Sequence, residues 1–160
     1  MTIFKGGDIA GVEIKKITRY SDERGWLLEV FRNDELKNEF HPVMTYVSLT
    51  NPGVARGPHE HAHQTDYFCF AGPSDFRIYL WDNRAGFPTE GNRMVFTAGE
   101  SEPSTVIVPK GIVHAYINIG AGDGLVINCP NRLFKGQGRR DSVDEVRYEG
   151  DPNSPYRLET

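Results

Sequence analysis

Cysteine, long apolar runs and an excess of charge of one sign are all scarce in this sequence. Two cysteines, Cys69 and Cys129, in 160 residues are too few for a disulfide framework, so both are predicted to be free, buried thiols. The 18 Lys and Arg against 22 Asp and Glu give a net charge of −4 with no basic block, which excludes a nucleic-acid partner. No apolar run approaches the roughly 20 residues of a membrane span, and the N-terminus lacks a hydrophobic signal core. We therefore expect a cytoplasmic protein with no membrane partner.

Glycine, proline and the hydrophobic pattern predict the fold class. The length is that of a single domain, predicted to cover residues 1–160, and 17 Gly with 10 Pro indicate frequent turns. Apolar residues alternate with a period close to 2, as in residues 76–81 and 105–108, which is typical of half-buried strands. Ten strands without a repeat or long linker favour an all-β jelly-roll barrel or sandwich over a propeller or an open parallel sheet. The predicted strands are 12–20, 26–32, 43–50, 55–61, 66–71, 75–82, 93–97, 104–109, 114–119 and 124–128.

Two segments are predicted to depart from strand structure. Residues 33–40 form the one helix candidate, because Asn33 can cap it and Leu36 and Phe40 share a face at i, i+4. From about Lys135 onward the composition shifts to charged residues, glycine and proline. This tail is predicted to lie over the barrel as an irregular strap.

Four of the five histidines fall in two short segments, and their spacing suggests a site. His59 and His61 lie at i, i+2, so on a strand both point to the same face. His63 is nearer a turn and is predicted to be peripheral, while His114 opens a later strand. If the two segments pair inside a barrel, His59, His61, His114 and the carboxylate of Asp66 can converge on a divalent metal.

The same residues carry a resemblance to known proteins. H-x-H-x(4)-D at 59–66 and P-x-G-x-x-H-x-x-x-N at 109–118 resemble the two-part motif of the cupin superfamily. A narrower resemblance, to the dTDP-4-dehydrorhamnose 3,5-epimerase family, spans residues 22 to 152. Its motifs occur in order: DERGWLLE (22–29), GVARGPH (53–59), DNRAGFPTEG (82–91), VPKGIVHAY (108–116) and, with one residue inserted, VRYEGDP (146–152). The resemblance implies a cupin jelly-roll (double-stranded β-helix) barrel that forms a homodimer.

The family resemblance also implies an activity. The substrate would be a nucleotide-linked 4-keto-6-deoxyhexose, and a histidine base would remove a proton next to the ketone without a cofactor. By motif position His59 is the base, Asp151 its orienting partner, and Arg56 a contact for a phosphate or the enolate oxygen. Arg24 and Glu29 match the nucleotide-contacting strand, which the resemblance implies is presented to the neighbouring subunit.

Several positions depart from the family pattern. Asn128, a predicted substrate contact together with His114, stands where the family has a tyrosine acid, and an amide cannot donate a proton in that sense. Asp66 replaces a lysine and His61 a glutamine, so a cation is lost and two metal-ligand types are added. These changes predict an altered stereochemical outcome.

Further substitutions leave three hypotheses open. Met44 and Tyr46 stand where the family has polar residues that read the nucleotide base, and Tyr67 and Tyr116 are candidate substitute acids. The first hypothesis is an epimerase or isomerase acting on a nucleotide sugar. The second is a metal-dependent cupin acting on another small polar substrate, with Fe, Mn, Ni or Zn held by His59, His61, Asp66 and His114. The third is a non-catalytic sugar-binding cupin.

Overall fold

The strands of this chain form two facing sheets, with a hairpin beside them. The structure, a computed structural model, describes residues 4–37 and 40–159. The strands are β1 (Lys5–Gly6), β2 (Glu13–Lys16), β3 (Arg19–Asp22), β4 (Gly25–Leu28), β5 (Tyr46–Thr50), β6 (Ala55–Glu60), β7 (Asp66–Phe70), β8 (Asp75–Asp82), β9 (Asn92–Gly99), β10 (Ser104–Val108), β11 (Ile112–Asn118), β12 (Gly124–Asn128) and β13 (Val146–Arg147). The predicted all-β class is confirmed.

The strand order is that of a jelly roll. One sheet runs β1-β9-β8-β11-β6-β13 and the other β2-β10-β7-β12-β5, while β3 and β4 pair separately. From β5 to β12, four strands lie in each sheet, in the orders β9-β8-β11-β6 and β10-β7-β12-β5, which two interlocked Greek keys produce, so the predicted jelly-roll barrel is confirmed. The consequence for the site is that β6 and β11 are neighbours in one sheet, while β7 lies in the sheet opposite.

The core lies between the two sheets and follows the period-2 pattern. On β8, Phe76, Ile78 and Leu80 face the barrel interior and are at most 3% exposed. The alternate residues Tyr79 and Trp81 are also buried, because the C-terminal tail packs over the outer face of this strand. The strap predicted from the composition after residue 135 therefore covers a sheet, and it includes a 3₁₀ turn at Gln137–Arg139 and the short strand β13.

Two predicted elements differ from the structure. Residues 33–35 form a turn and no α-helix occurs in the described ranges; positions 38 and 39 of the predicted helix lie outside them. A segment this short does not offset the cost of helix nucleation. Leu36 and Phe40, predicted to share a helix face, nevertheless pack in one apolar cluster with Tyr67 without the helix. The strand predicted over 12–20 is divided at residues 17–18, where the chain leaves one sheet for the separate hairpin.

The β3–β4 hairpin exposes apolar side chains. Tyr20, Trp26 and Leu27 are 59%, 50% and 63% exposed.

No helix among the residues described is long and apolar enough to span a membrane. Cys69 and Cys129 are free and buried, as predicted.

Candidate active site

Strand pairing brings the histidines of the two sequence segments together. His59 on β6 lies directly opposite His114 on the antiparallel β11, and their ring centroids are 4.4 Å apart. The two strands approach closely at Gly57, where a Cβ atom would lie 2.4 Å from the carbonyl oxygen of His114. Gly57 also has φ of 82°, so both space and backbone conformation require glycine there. His61 follows β6 immediately, and the ligand atoms of the three imidazoles lie within 4.8 Å of one another.

Asp66 reaches the same point from the opposite sheet. It opens β7, is 1% exposed, and its Oδ2 lies 3.3 Å from His61 Nε2 and 3.6 Å from His114 Nε2. The other carboxylate oxygen, Oδ1, accepts hydrogen bonds from the side-chain amides of Gln64 and Asn128, both at 2.8 Å. The four residues predicted to converge are therefore brought together at the inner end of a cleft.

Main-chain carbonyls set the tautomers of two of these histidines. His114 Nδ1 lies 3.1 Å from the carbonyl oxygen of Ile112, and His61 Nδ1 contacts the carbonyl oxygen of Asp144. A carbonyl can only accept, so each Nδ1 carries the hydrogen and each Nε2 of the neutral ring keeps a free lone pair. Both lone pairs lie on the side of Asp66 Oδ2, and neither that oxygen nor His114 Nε2 has a hydrogen-bond partner.

Burial keeps His59 and His114 uncharged at neutral pH. Desolvation is the main cause that lowers the pKa of His59 to about 2, and the neighbouring His114, His61 and Arg147 add to it. Desolvation also lowers the pKa of His114, partly opposed by the charge of Asp66. Both imidazoles are therefore in the neutral form, which can accept a proton or bind a metal.

The carboxylates beside His59 come from the strap. Glu145 Oε1 lies 3.8 Å from His59 Nε2 and Glu149 Oε1 lies 3.9 Å from His59 Nδ1. Asp151, the predicted orienting partner, instead lies in an exposed turn, accepts the N–H of Asn153 and makes no ion pair with His59. The pairing of β13 with β6 puts Arg147 opposite His59. Glu145 and Glu149, two positions before and after Arg147, therefore lie on either side of the His59 imidazole.

The histidines open into a cleft of about 1440 Å³ between the barrel and the strap. Its lining includes a cation from β6, Arg56, whose guanidinium donates to Thr50 Oγ1 at 3.0 Å and to the carbonyl oxygen of Leu49 at 2.8 Å. Further cations in the lining are Arg132, which precedes the strap, and Lys135, Arg139 and Arg147 of the strap. A ligand with a chain of anionic groups can therefore find positive charge along the cleft, beside the carboxylates near His59.

A tyrosine that motif matching did not identify as an acid lines this cleft. Tyr46 stays 44% exposed, but its hydroxyl accepts a hydrogen bond from Asn128 Nδ2 at 2.9 Å, and desolvation raises its pKa to about 12. Tyr116 also lines the cleft, with its hydroxyl 3.2 Å from Ser48 Oγ. Tyr67 does not, because its hydroxyl donates to the carbonyl oxygen of Val30 outside the barrel. Asn128 thus holds a phenol from the adjacent strand β5.

Arg24 and Glu29 lie away from this cleft. Arg24 pairs with Asp22 on the β3–β4 hairpin, and Glu29 lies 3.5 Å from Arg32. His63, predicted to be peripheral, is exposed but also lines the cleft. Within this chain, Arg24 and Glu29, which are predicted to bind the nucleotide, therefore make no contact with the histidine cluster.

Comparison with known proteins agrees with this fold and with the order of the motifs. A sequence model of the dTDP-4-dehydrorhamnose 3,5-epimerase family matches residues 7–139. A Haloferax volcanii protein described as a probable low-salt glycan biosynthesis epimerase, Agl13, is 37% identical over 129 residues, which cover 79% of this chain and 81% of that protein.

Solved structures share the same fold. A dTDP sugar isomerase from Desulfovibrio desulfuricans superposes with a TM-score of 0.77 at 21% identity, covering 90% of this chain and 87% of that one. A dTDP-6-deoxy-D-glucose-3,5-epimerase from Legionella pneumophila, in complex with dTDP-4-keto-L-rhamnose, gives 0.72 at 20% identity, with 89% and 74% covered. With a family match over most of its length and a relative 37% identical, this chain belongs to the dTDP-4-dehydrorhamnose 3,5-epimerase family.

Proposed function

We propose that this protein epimerises or isomerises a nucleotide-linked 4-keto-6-deoxyhexose, with His59 as the base. The observation that carries the proposal is a neutral imidazole at the inner end of a large cleft, flanked by Glu145 and Glu149 at 3.8 and 3.9 Å. A general base must be uncharged before it accepts a proton, and nearby carboxylates stabilise the imidazolium that results. Family membership supports the same class of reaction.

The proposed chemistry is a pair of proton transfers. The C4 carbonyl acidifies the C–H bonds at C3 and C5; His59 takes one of these protons, and the bonding electrons move to the carbonyl oxygen as an enolate. A proton delivered to the other face of the same carbon, with return of the electrons, completes the inversion. The reaction is redox-neutral and needs no redox cofactor. Tyr46 is our candidate for the acid, since the hydrogen bond from Asn128 leaves its own hydroxyl hydrogen free to be donated.

The stereochemical outcome is proposed to differ from that of the family. The acid comes from β5 rather than from the position of Asn128 on β12, so the proton approaches the sugar from a shifted point. We expect inversion at one carbon rather than at both C3 and C5. Counting the epimers that wild-type protein forms, by NMR, tests this part.

The nucleotide is proposed to bind along the cations of the cleft. A diphosphate accepts bidentate hydrogen bonds from guanidinium groups, and Arg56 with Arg132, Arg139 and Arg147 offers several. Arg24 and Glu29 would contact the nucleotide of a partner subunit, because the exposed apolar hairpin that carries Arg24 suits strand exchange in a homodimer. The cytoplasmic location remains a prediction.

The test is solvent-deuterium incorporation at C3 or C5 of a dTDP-4-keto-6-deoxyhexose. Wild type should exchange, and His59→Asn should lower the rate by roughly 100-fold to 10,000-fold while substrate binding is retained. His41→Asn, at an exposed histidine outside the cleft lining, is the matched control and should exchange at the wild-type rate. Binding without exchange in the wild type would contradict catalysis and favour a sugar-binding cupin.

A further inference from the structure

Three acceptor atoms meet behind the proposed base with no donor between them. The Nε2 atoms of His61 and His114 present lone pairs, because their Nδ1 hydrogens are directed at main-chain carbonyls. Asp66 Oδ2 faces both of them without a hydrogen-bond partner, and His114 Nε2 is equally unpartnered. Both unpartnered groups are almost completely buried, at 1% and 3% exposed. A buried carboxylate oxygen and two lone pairs in contact are unfavourable unless a proton or a metal cation lies among them.

The spacing of these atoms fits a small divalent metal. Zinc-type ions bind imidazole nitrogen and carboxylate oxygen at about 2.0–2.2 Å, so two ligands of one tetrahedral ion lie about 3.4 Å apart. Asp66 Oδ2 lies 3.3 Å from His61 Nε2 and 3.6 Å from His114 Nε2. These separations are too long for strong hydrogen bonds, yet they match the edge of a coordination tetrahedron.

The surroundings orient the ligands in the manner of a metal site. The carbonyl oxygens of Asp144 and Ile112 hold the far nitrogens of the two imidazoles, which fixes ring orientation and tautomer. Gln64 and Asn128 donate to the other oxygen of Asp66 and leave Oδ2 as the single free acceptor. His61 lines the cleft, so an ion has an entry path.

We propose that His61, Asp66 and His114 bind one divalent first-row transition metal, of the Fe, Mn, Ni or Zn class. Two imidazoles and one carboxylate leave at least one coordination position open, which is typical of a catalytic rather than a structural site. The ligand atom of His59 also lies within 4.8 Å of those of His61 and His114, but in this proposal His59 stays free to act as the base. A cation here would stabilise the negative charge that develops on the ketone oxygen, a role that rests on the proposed function, whereas binding itself does not.

The experiment measures binding directly. Wild-type protein, stripped with a chelator, is titrated with Co²⁺ and followed by visible absorption, and Zn²⁺ content is measured after loading and desalting. One metal ion per chain is expected. Asp66→Asn, which keeps shape but removes the charge, and His61→Ala should each weaken binding at least tenfold.

A control and a second measurement protect the test against misfolding. His63→Ala removes an exposed imidazole from the same segment and should bind like the wild type. Thermal unfolding of the wild type should shift upward with added Zn²⁺, by linkage of binding to folding, and Asp66→Asn should lose that shift even if its unliganded Tm is unchanged. Substoichiometric binding by wild type, or equal loss in His63→Ala and His61→Ala, would overturn the proposal.

Deuterium exchange with and without metal separates this proposal from the epimerase function. Exchange that is unaffected by chelation in protein that binds no metal would overturn the metal site and leave the epimerase intact. One bound metal per chain without any exchange would support the metal site and contradict the epimerase. Exchange that falls on chelation and returns with metal would support both.

Discussion

Asp144→Ala should release the strap from the barrel. The Asp144 carboxylate accepts the backbone N–H groups of Ala62, His63 and Gln64, each at 2.9 Å, and its own carbonyl oxygen contacts His61. The side chain thus caps the turn that follows β6, at the point where the strap crosses the candidate site. Its loss removes three charge-assisted hydrogen bonds at once.

The magnitude follows from those bonds and their exposure. A hydrogen bond to a charged group contributes about 1.5–3 kcal/mol to stability. If all three hydrogen bonds to Asp144 were fully buried, their combined contribution would be about three times as large. Ala62 and His63 are exposed, so water replaces much of what the variant loses. We expect the free energy of unfolding to fall by about 2–3 kcal/mol, which lowers Tm by about 4–12 °C in a domain of this size.

The effect should depend on pH in one direction. Burial alone would raise the pKa of Asp144, but the three backbone donors outweigh it and lower the pKa below its usual 3.8. A depressed pKa means that the carboxylate stabilises the fold above its unfolded pKa and loses this contribution as pH falls through the folded value. The difference between wild type and variant should therefore be constant above about pH 5 and shrink below about pH 4.

Urea unfolding of both proteins from pH 3 to 8 measures this difference. Asp123→Ala, in the exposed loop between β11 and β12, is the matched control and should change stability by less than about 0.5 kcal/mol. An Asp144→Ala variant as stable as Asp123→Ala at pH 7, or one whose deficit grows as the pH falls, would refute the reasoning.

Three further outcomes are expected. Gly57→Ala should fail to fold or lose several kcal/mol of stability in thermal unfolding, since its Cβ would meet a carbonyl oxygen at 2.4 Å. Gly53→Ala, with φ of 71° but open space around it, should lose only about 1–2 kcal/mol, and similar losses in the two variants would contradict the close approach at Gly57. Tyr46→Phe should lower turnover at least 100-fold with KM little changed, while Tyr67→Phe should keep activity, and the reverse order would disprove the acid assignment. The acid limb of the kcat/KM profile should lie below pH 6.5, because burial lowers the pKa of His59; a limb at or above 6.5 would contradict its desolvation.

Local pattern was sufficient for the strands and for the shared face of His59 and His61. The alternation in β8 predicts Phe76, Ile78 and Leu80 on one buried face, because side chains on a strand point to opposite sides in turn. The same parity predicts that His59 and His61 point the same way. Strand geometry is short-range, so these features can be read from a few neighbouring residues. The position of His114 beside them cannot, because it depends on the pairing of β6 with β11, which the sequence offered only as a condition.

Long-range packing decided the rest of the site. That Glu145 and Glu149 rather than Asp151 flank His59 depends on the register of β13 against β6. That Asn128 holds Tyr46 depends on which strands are neighbours in the second sheet.

The orientation of the lone pairs toward Asp66 had no sequence signal at all. It depends on the main-chain carbonyls of Ile112 and Asp144, one of them in the irregular strap. The sequence by itself determined which residue types reach the cleft, since alternation along a strand is a local property. Only the tertiary structure decided which atoms face each other, because carbonyl positions and strand register follow from contacts between segments about 80 residues apart, as between His61 and Asp144.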